Sequence, residues 1–219
     1  MRKTFHQELR DLRTEVLHMG QLVTEAIDDG VKALVEGDAA LVEKVIAGDD
    51  EIDRLTMDVE EQGLALLARQ APVAIDLRLI HSMMFISVHL ERMGDLALNI
   101  AKAARKTTVK EEGSAELLAL ISRMGELVHG VVDASLDAFD RKDCDLARKL
   151  PEMDEPIDQL FKQFFKELTK FTDEEKIDWA SNMVLASRYL ERIADHAVDI
   201  GERVCYLVTG EFQEFSDQD

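Results

Sequence analysis

Apolar residues recur every three or four positions along most of this chain. Leu9, Leu12, Val16, Met19, Val23, Ile27, Val31 and Leu34 form the first stripe, which predicts a helix from about Phe5 to Glu36. Gly37-Asp38 interrupts it, and Asp38 is placed to cap a second helix. The second stripe, Leu41, Val45, Ile52, Leu55, Val59 and Leu66, ends near Arg69-Gln70. Pro72 suits the first turn of a third helix, where its missing N–H costs nothing. That helix carries Leu79, Met83, Ile86, Leu90, Met93, Ala97, Ile100 and Ala104 in alternating steps of four and three, a coiled-coil-like seam. No stretch shows the strict alternation of a half-buried strand.

Lys106 to Ser114 is polar and reads as a linker, after which the scheme returns. A fourth helix spans Leu117 to Phe139 and breaks near Lys142-Asp143, and a fifth runs to about Phe171. Thr172 and Glu175 have the spacing of a capping box for a sixth. The sixth carries Trp179, Met183, Ala186, Leu190, Ile193, Ala197, Ile200 and Val204, the same seam as the third. The likeness extends to identities. Leu90-Glu91-Arg92-Met93-Gly94-Asp95 returns 100 positions later as Leu190-Glu191-Arg192-Ile193-Ala194-Asp195. Met19-Gly20-Gln21-Leu22-Val23 returns 105 later as Met124-Gly125-Glu126-Leu127-Val128, and Asp49 to Asp53 returns as Asp154 to Asp158. A repeat this long means that one supersecondary unit was duplicated. The expected fold is all-α: two tandem homologous three-helix bundles of up-down helices about 30 residues long. Residues 1–107 form the first repeat and 114–210 the second, with an acidic tail at 211–219 expected to be disordered.

Composition narrows the function. Formal net charge is −19, so phosphate backbones repel the chain and nucleic acid is excluded as a partner, as is charge-driven binding to anionic lipid. No apolar run approaches the roughly 20 residues of a membrane span, and the N-terminus lacks the apolar core of a signal peptide. Cys144 and Cys205 lie far apart and in no metal spacing, which reads as a reducing compartment without disulfides. A cytoplasmic protein is expected.

The acidic residues are patterned. Each half holds two pairs at i and i+4, Asp49/Asp53 and Glu91/Asp95 in the first, Asp154/Asp158 and Glu191/Asp195 in the second. Asn99 and Asp199 extend the later pair of each half by one turn. Residues i and i+4 share a helix face, so each pair sets like charges side by side. Carboxylates from neighbouring helices, with no Cys, make a hard-ligand set suited to Mg, Ca or Mn and able to hold Fe. As solvated residues they would instead pair with Arg54, Arg92 and Arg192.

With these motifs in hand, the chain resembles the PhoU family of phosphate-signalling regulators over nearly its whole length. The likeness is carried by the two Leu-Glu-Arg motifs above, the second continuing into His196-Ala197, and by Arg69-Gln70-Ala71-Pro72-Val73-Ala74-Ile75-Asp76-Leu77-Arg78, Phe5 to Leu9 and Met19-Gly20. The resemblance implies a repeated three-helix bundle whose acidic pairs bind multinuclear clusters of Fe, Mn, Mg or Zn. The site residues it implies are Asp49, Asp53, Glu91, Asp95 and Asn99 in one half and Asp154, Asp158, Glu191, Asp195 and Asp199 in the other. It further implies a non-enzymatic negative regulator of phosphate uptake and of the phosphate-starvation response. Such a protein is a cytoplasmic adaptor, peripheral to the membrane, between a phosphate ABC transporter's ATPase subunit and a sensor histidine kinase. A homodimer is expected from the long bundle faces. The chain departs from the family pattern at Leu96, where His is common, and at His89, where an acidic residue is common. Asn99 is neutral where Asp199 is charged, so the first site is expected to bind metal more weakly than the second.

Two alternatives remain open at this level. Glu15/His18 and Glu126/His129 read E-x-x-H, the half-motif of ferritin-like di-iron bundles, which would make the chain a carboxylate-bridged enzyme or metal store. The copies are not equivalent in the repeat, since His18 precedes Met19-Gly20 whereas His129 follows Met124-Gly125. A purely structural scaffold is the other. No phosphate-binding glycine loop and no nucleophile–base arrangement is present in the sequence. His196, beside Asp195, is the best candidate for an additional ligand.

Overall fold

The computed structural model describes residues 2–107, 114–170 and 176–215. Three long helices, α1 (Arg2–Glu36), α2 (Ala39–Gln70) and α3 (Ala74–Lys106), make the first half. The second half comprises α4 (Ala115–Arg141), a one-turn α5 (Cys144–Ala147), α6 (Leu150–Leu168) and α7 (Ile177–Thr209). The described residues contain no strand.

The expected cap at Asp38 forms, and the structure adds a second at Asp143. The Asp38 carboxylate accepts from the N–H groups of Ala40 and Leu41, and Asp143 does the same for Asp145 and Leu146. Each satisfies helix N–H groups that would otherwise have no acceptor. The predicted stripes face inward: Leu12, Val16, Met19, Val23, Ile27, Leu90, Met93, Ile100, Leu190, Ile193 and Ile200 are fully buried in one continuous core. Each such side chain contributes about 2 kcal/mol of burial.

The halves share that core. α3 packs on α1, α2 and α7, while α7 packs on α3, α4 and α6. The α3–α7 pair is antiparallel, because Arg78 Nε donates to the Leu207 carbonyl at one end while the His89 and His196 rings meet further along. α1 and α4 form the second seam, and there the repeated Met-Gly step explains itself. A Cβ on Gly20 would lie 2.7 Å from Leu136, and one on Gly125 would lie 2.8 Å from Val31. Val31 and Leu136 are themselves repeat counterparts, 105 positions apart. The two close approaches are therefore one contact seen twice, related by an internal pseudo-two-fold axis.

Four expectations need correction or qualification. Pro72 is not in the first turn of the third helix: α3 starts at Ala74 after an extended Val73. The proline ring disfavours continued right-handed helix at Ala71, which turns to φ 43°, and Ala74 enters α3 from φ 49°. The single fifth helix is two. Pro151 sits at the start of α6 and has no N–H to give to the turn before it, so the chain breaks at Arg148-Lys149. The cysteines are not free: α5 lies against α7, and Cys144 and Cys205 form a disulfide with Cα atoms 4.7 Å apart. Their separation of 61 residues gave no local sign of this, because only the tertiary packing of α5 brings them together. The tail is anchored at Phe215, whose ring packs on the core and whose N–H donates to Glu202 Oε1 at 2.6 Å. The predicted capping box at Thr172 and Glu175 and the end of the tail, 216–219, lie outside the described residues. No described helix is long and apolar enough to cross a membrane.

Candidate metal centres

The Asp49/Asp53 and Glu91/Asp95 pairs come from α2 and α3, which pack together, and Asp154/Asp158 and Glu191/Asp195 from α6 and α7, which do likewise. Both sets are electrostatically joined. Burial raises the Asp49 carboxyl above its ordinary range, and the charges of Asp53 and Asp95 add to this. Glu91 is raised by burial and by Asp95, Asp53 and Asp49. In the second half, burial and Asp195 raise Glu191, with Asp158 contributing, against the opposing charge of Arg188. Asp195 is raised by burial and then by Asp158. Each half thus gathers carboxylates from two helices, Asp49, Asp53, Glu91 and Asp95 in the first and Asp158, Glu191 and Asp195 in the second, into one patch whose members repel one another.

The patches are not identical. Arg188 pairs with Glu191 Oε1, and its repeat counterpart is Val88, which has no charge. The other Glu191 oxygen, Oε2, is buried and accepts no hydrogen bond from any described residue. A buried carboxylate oxygen without a donor is costly, and a cation meets that need. The donor set therefore fits a hard divalent ion. Asn99 is half-buried beyond Asp95 on α3. Asp199 is directed elsewhere: its Oδ2 lies 3.4 Å from His89 Nδ1 and 3.5 Å from His196 Nδ1. Among the described residues, these three are the one group of at least three His, Cys, Asp or Glu whose ligand atoms all lie within 4.8 Å of one another.

The E-x-x-H half-motifs do not meet. Glu15 accepts from Gln62 on α2, whereas His129 lies against Asp28 of α1 at 3.0 Å and Asp133 of α4 at 3.2 Å. A ferritin-like di-iron centre is not built from these residues. Reading single motifs missed His89. The signal was present in its departure from the family pattern, together with the antiparallel seam that sets it opposite His196.

Comparison with known proteins agrees with this architecture. The family model described as PhoU domain matches twice, at residues 16–104 and 121–204. A phosphate-specific transport system accessory protein PhoU homolog from Pseudomonas aeruginosa is 38% identical over 94% of this chain and 86% of its own length. A homolog of the same description from Clostridium acetobutylicum is 34% identical over 99% of each chain. The crystal structure of PhoU from Pseudomonas aeruginosa superposes with a TM-score of 0.89 at 37% identity, covering 94% of this chain and 100% of the other. That of the phosphate transport system regulatory protein PhoU from Streptococcus pneumoniae gives 0.87 at 34% identity, covering 95% and 99%.

Proposed function

The chain belongs to the PhoU family, and from that premise we propose that it is a negative regulator of phosphate uptake and of the phosphate-starvation response. It acts without catalysis, as a cytoplasmic adaptor held near the membrane by its partners, a phosphate ABC transporter's ATPase subunit and a sensor histidine kinase. The observation that carries the reading is the duplicated family domain over most of the chain, shared with relatives named as phosphate transport accessory proteins. Two structural features support it. Val73, Ile75 and Leu77 stand exposed where the chain turns from α2 into α3, and Ile177, the repeat counterpart of Leu77, is exposed at the start of α7. Exposed apolar side chains at a strained turn suit docking onto another protein. A dimer through the remaining bundle faces belongs to the same proposal.

The acidic patches serve as metal sites in this reading. Asp49, Asp53, Glu91, Asp95 and Asn99 would hold ions in the first half, and Asp154, Asp158, Glu191 and Asp195 in the second. Bound Fe, Mn, Mg or Zn would neutralise the repulsion and fix the surface that partners meet.

The test is a phosphate-starvation reporter in high phosphate. Deletion of the gene switches the reporter on and raises phosphate uptake. Glu191→Ala with Asp195→Ala partly reproduces this with helical content intact, since these changes remove charge without opening a core cavity. A reporter that stays silent in the deletion strain sinks the reading.

A further inference from the structure

The seam between the halves holds a second kind of site. His89 of α3 and His196 of α7 are 8% and 9% exposed. Among the described residues, neither Nδ1 makes a hydrogen bond, nor does His196 Nε2. Two imidazoles are thus buried at the α3–α7 interface with three of their four ring nitrogens unsatisfied, which is unfavourable in a protein interior. Both Nδ1 atoms face one oxygen, Asp199 Oδ2, at 3.4 and 3.5 Å. These separations are long for hydrogen bonds. They match the edge of a coordination tetrahedron, because two ligand atoms each about 2.1 Å from one ion lie about 3.4 Å apart.

We propose that His89, His196 and Asp199 form a mononuclear site for a first-row divalent transition ion, one that ties α3 to α7 and is distinct from the acidic patches. Two nitrogens and one carboxylate are borderline ligands that suit Zn or Fe(II) better than Mg or Ca. Three protein ligands leave a position for water or a fourth donor. Phe85 stacks on the His89 ring at 4.2 Å and carries the Arg203 guanidinium at 3.7 Å, which fixes the ring's orientation.

The internal repeat states how many such sites to expect. The counterparts of His89, His196 and Asp199 are Tyr189, Leu96 and Asn99. Pseudo-symmetry therefore supplies a mirror location with no competent ligand set, and each chain holds one ion of this kind.

The test uses the full-length, tag-free chain, stripped with chelator and given one equivalent of Zn. X-ray absorption at the zinc edge counts imidazole ligands. Wild type shows two. His89→Tyr and His196→Leu, which install the residues tolerated at the equivalent places of the other repeat, each lose an imidazole and bind Zn about tenfold or more weakly. Glu91→Gln/Asp95→Asn and Glu191→Gln/Asp195→Asn retain both imidazoles, which separates this site from the acidic patches. All-oxygen ligation in wild type overturns the proposal, as does an unchanged imidazole count in the histidine variants. The wild-type spectrum decides alone if a variant does not fold. The starvation reporter is a separate readout, so failure here leaves the regulatory reading standing.

Discussion

The two halves descend from one unit and solve the same packing problem, yet their second helices differ. In the first half α2 runs unbroken for 32 residues. In the second half the corresponding stretch is interrupted at Arg148-Lys149, holds Pro151 and Pro156, and is fastened to α7 by the Cys144–Cys205 disulfide. The counterparts of the two prolines are Ile46 and Glu51, and those of the cysteines are Ala39 and Arg105. The apolar stripe was preserved while the backbone was not. Ile52 and Ile157 are counterparts, and both are buried. Core burial therefore sets the fold, and the second half carries a cross-link where its helix has lost continuity.

The largest effect should come from breaking that cross-link. Its 61-residue separation corresponds to about 4 kcal/mol of loop-closure entropy in the unfolded chain. Reductant, or Cys144→Ser with Cys205→Ser, should lower stability by about that amount, and hydrogen exchange should quicken in α5 and α6 while α2 is spared. Equal exchange in α2 and α6 would break the comparison. The bridge also bears on location. A cytoplasmic pool favours two thiols and the bridge requires oxidising conditions, so thiol trapping in intact cells reports which state the working protein occupies.

A smaller effect separates the acidic patches. At neutral pH the raised carboxyls Asp49, Glu91, Glu191 and Asp195 subtract stability. A carboxyl whose folded value is raised is neutral and harmless below its unfolded value, and costs stability once pH exceeds the folded one. A divalent ion at a hundredfold excess over its Kd should return about 3 kcal/mol. Glu91→Gln/Asp95→Asn and Glu191→Gln/Asp195→Asn should each remove part of the melting response to Mg. Arg188, where the first half has Val88, competes with a cation at Glu191. Arg188→Val should therefore tighten Mg binding in the second half, and an unchanged Kd would rule that competition out.

The seam between α1 and α4 allows a finer comparison. Gly20→Ala meets the branched end of Leu136, while Gly125→Ala meets both Cγ atoms of Val31. Leucine can rotate away, whereas a β-branched side chain in a helix is held to one rotamer. The helix gains about 1 kcal/mol from either substitution. Gly20→Ala should thus be nearly neutral, and Gly125→Ala destabilising by about 1–2 kcal/mol. Chemical denaturation of the two variants checks the order, and reversed costs would contradict the rotamer argument.

The sequence made some of this legible and hid the rest, for physical reasons. The stripes, the cap at Asp38, the break at Lys142-Asp143 and the duplication are local or periodic signals, and they placed α1, α3, α4 and α7 closely. Pro151 was visible, but the repeat of the first-half scheme set the expectation, so one helix was expected where there are two. The i, i+4 spacing gave each acidic pair a shared helix face, and the packing of α2 on α3 and of α6 on α7 joins pair to pair. The disulfide and the His89–His196–Asp199 cluster depend on which helices meet and in which direction. Those contacts form between residues 61 and more than 100 positions apart, and no local pattern encodes them. Asp199 shows the limit best: by spacing it continues the Glu191/Asp195 stripe, yet in the fold its carboxylate turns to the histidines.

The smallest effect should come from His129, and it too rests on the repeat. Asp28 and Asp133 are counterparts, and His129 lies between them, 3.0 Å from one and 3.2 Å from the other. Its own counterpart, Thr24, only hydrogen-bonds back to the Gly20 carbonyl within α1. Burial alone would lower the imidazole's pKa, but the hydrogen bond and charge of Asp28 and the charge of Asp133 outweigh it, and the net shift is upward. Lys32 and Glu126 line the same groove with opposite charges. A histidine whose folded value is raised contributes its stability fully below the unfolded value of 6.5 and loses it as pH rises through the folded one. Wild type should therefore lose a little stability relative to His129→Gln between pH 6 and pH 8.5. The side chain is 42% exposed, so solvent screens the pair and the difference should stay below about 1 kcal/mol. Denaturation midpoints of both proteins across that range provide the test. A difference that grows with rising pH would reverse the sign and remove His129 as a charged link across the α1–α4 seam.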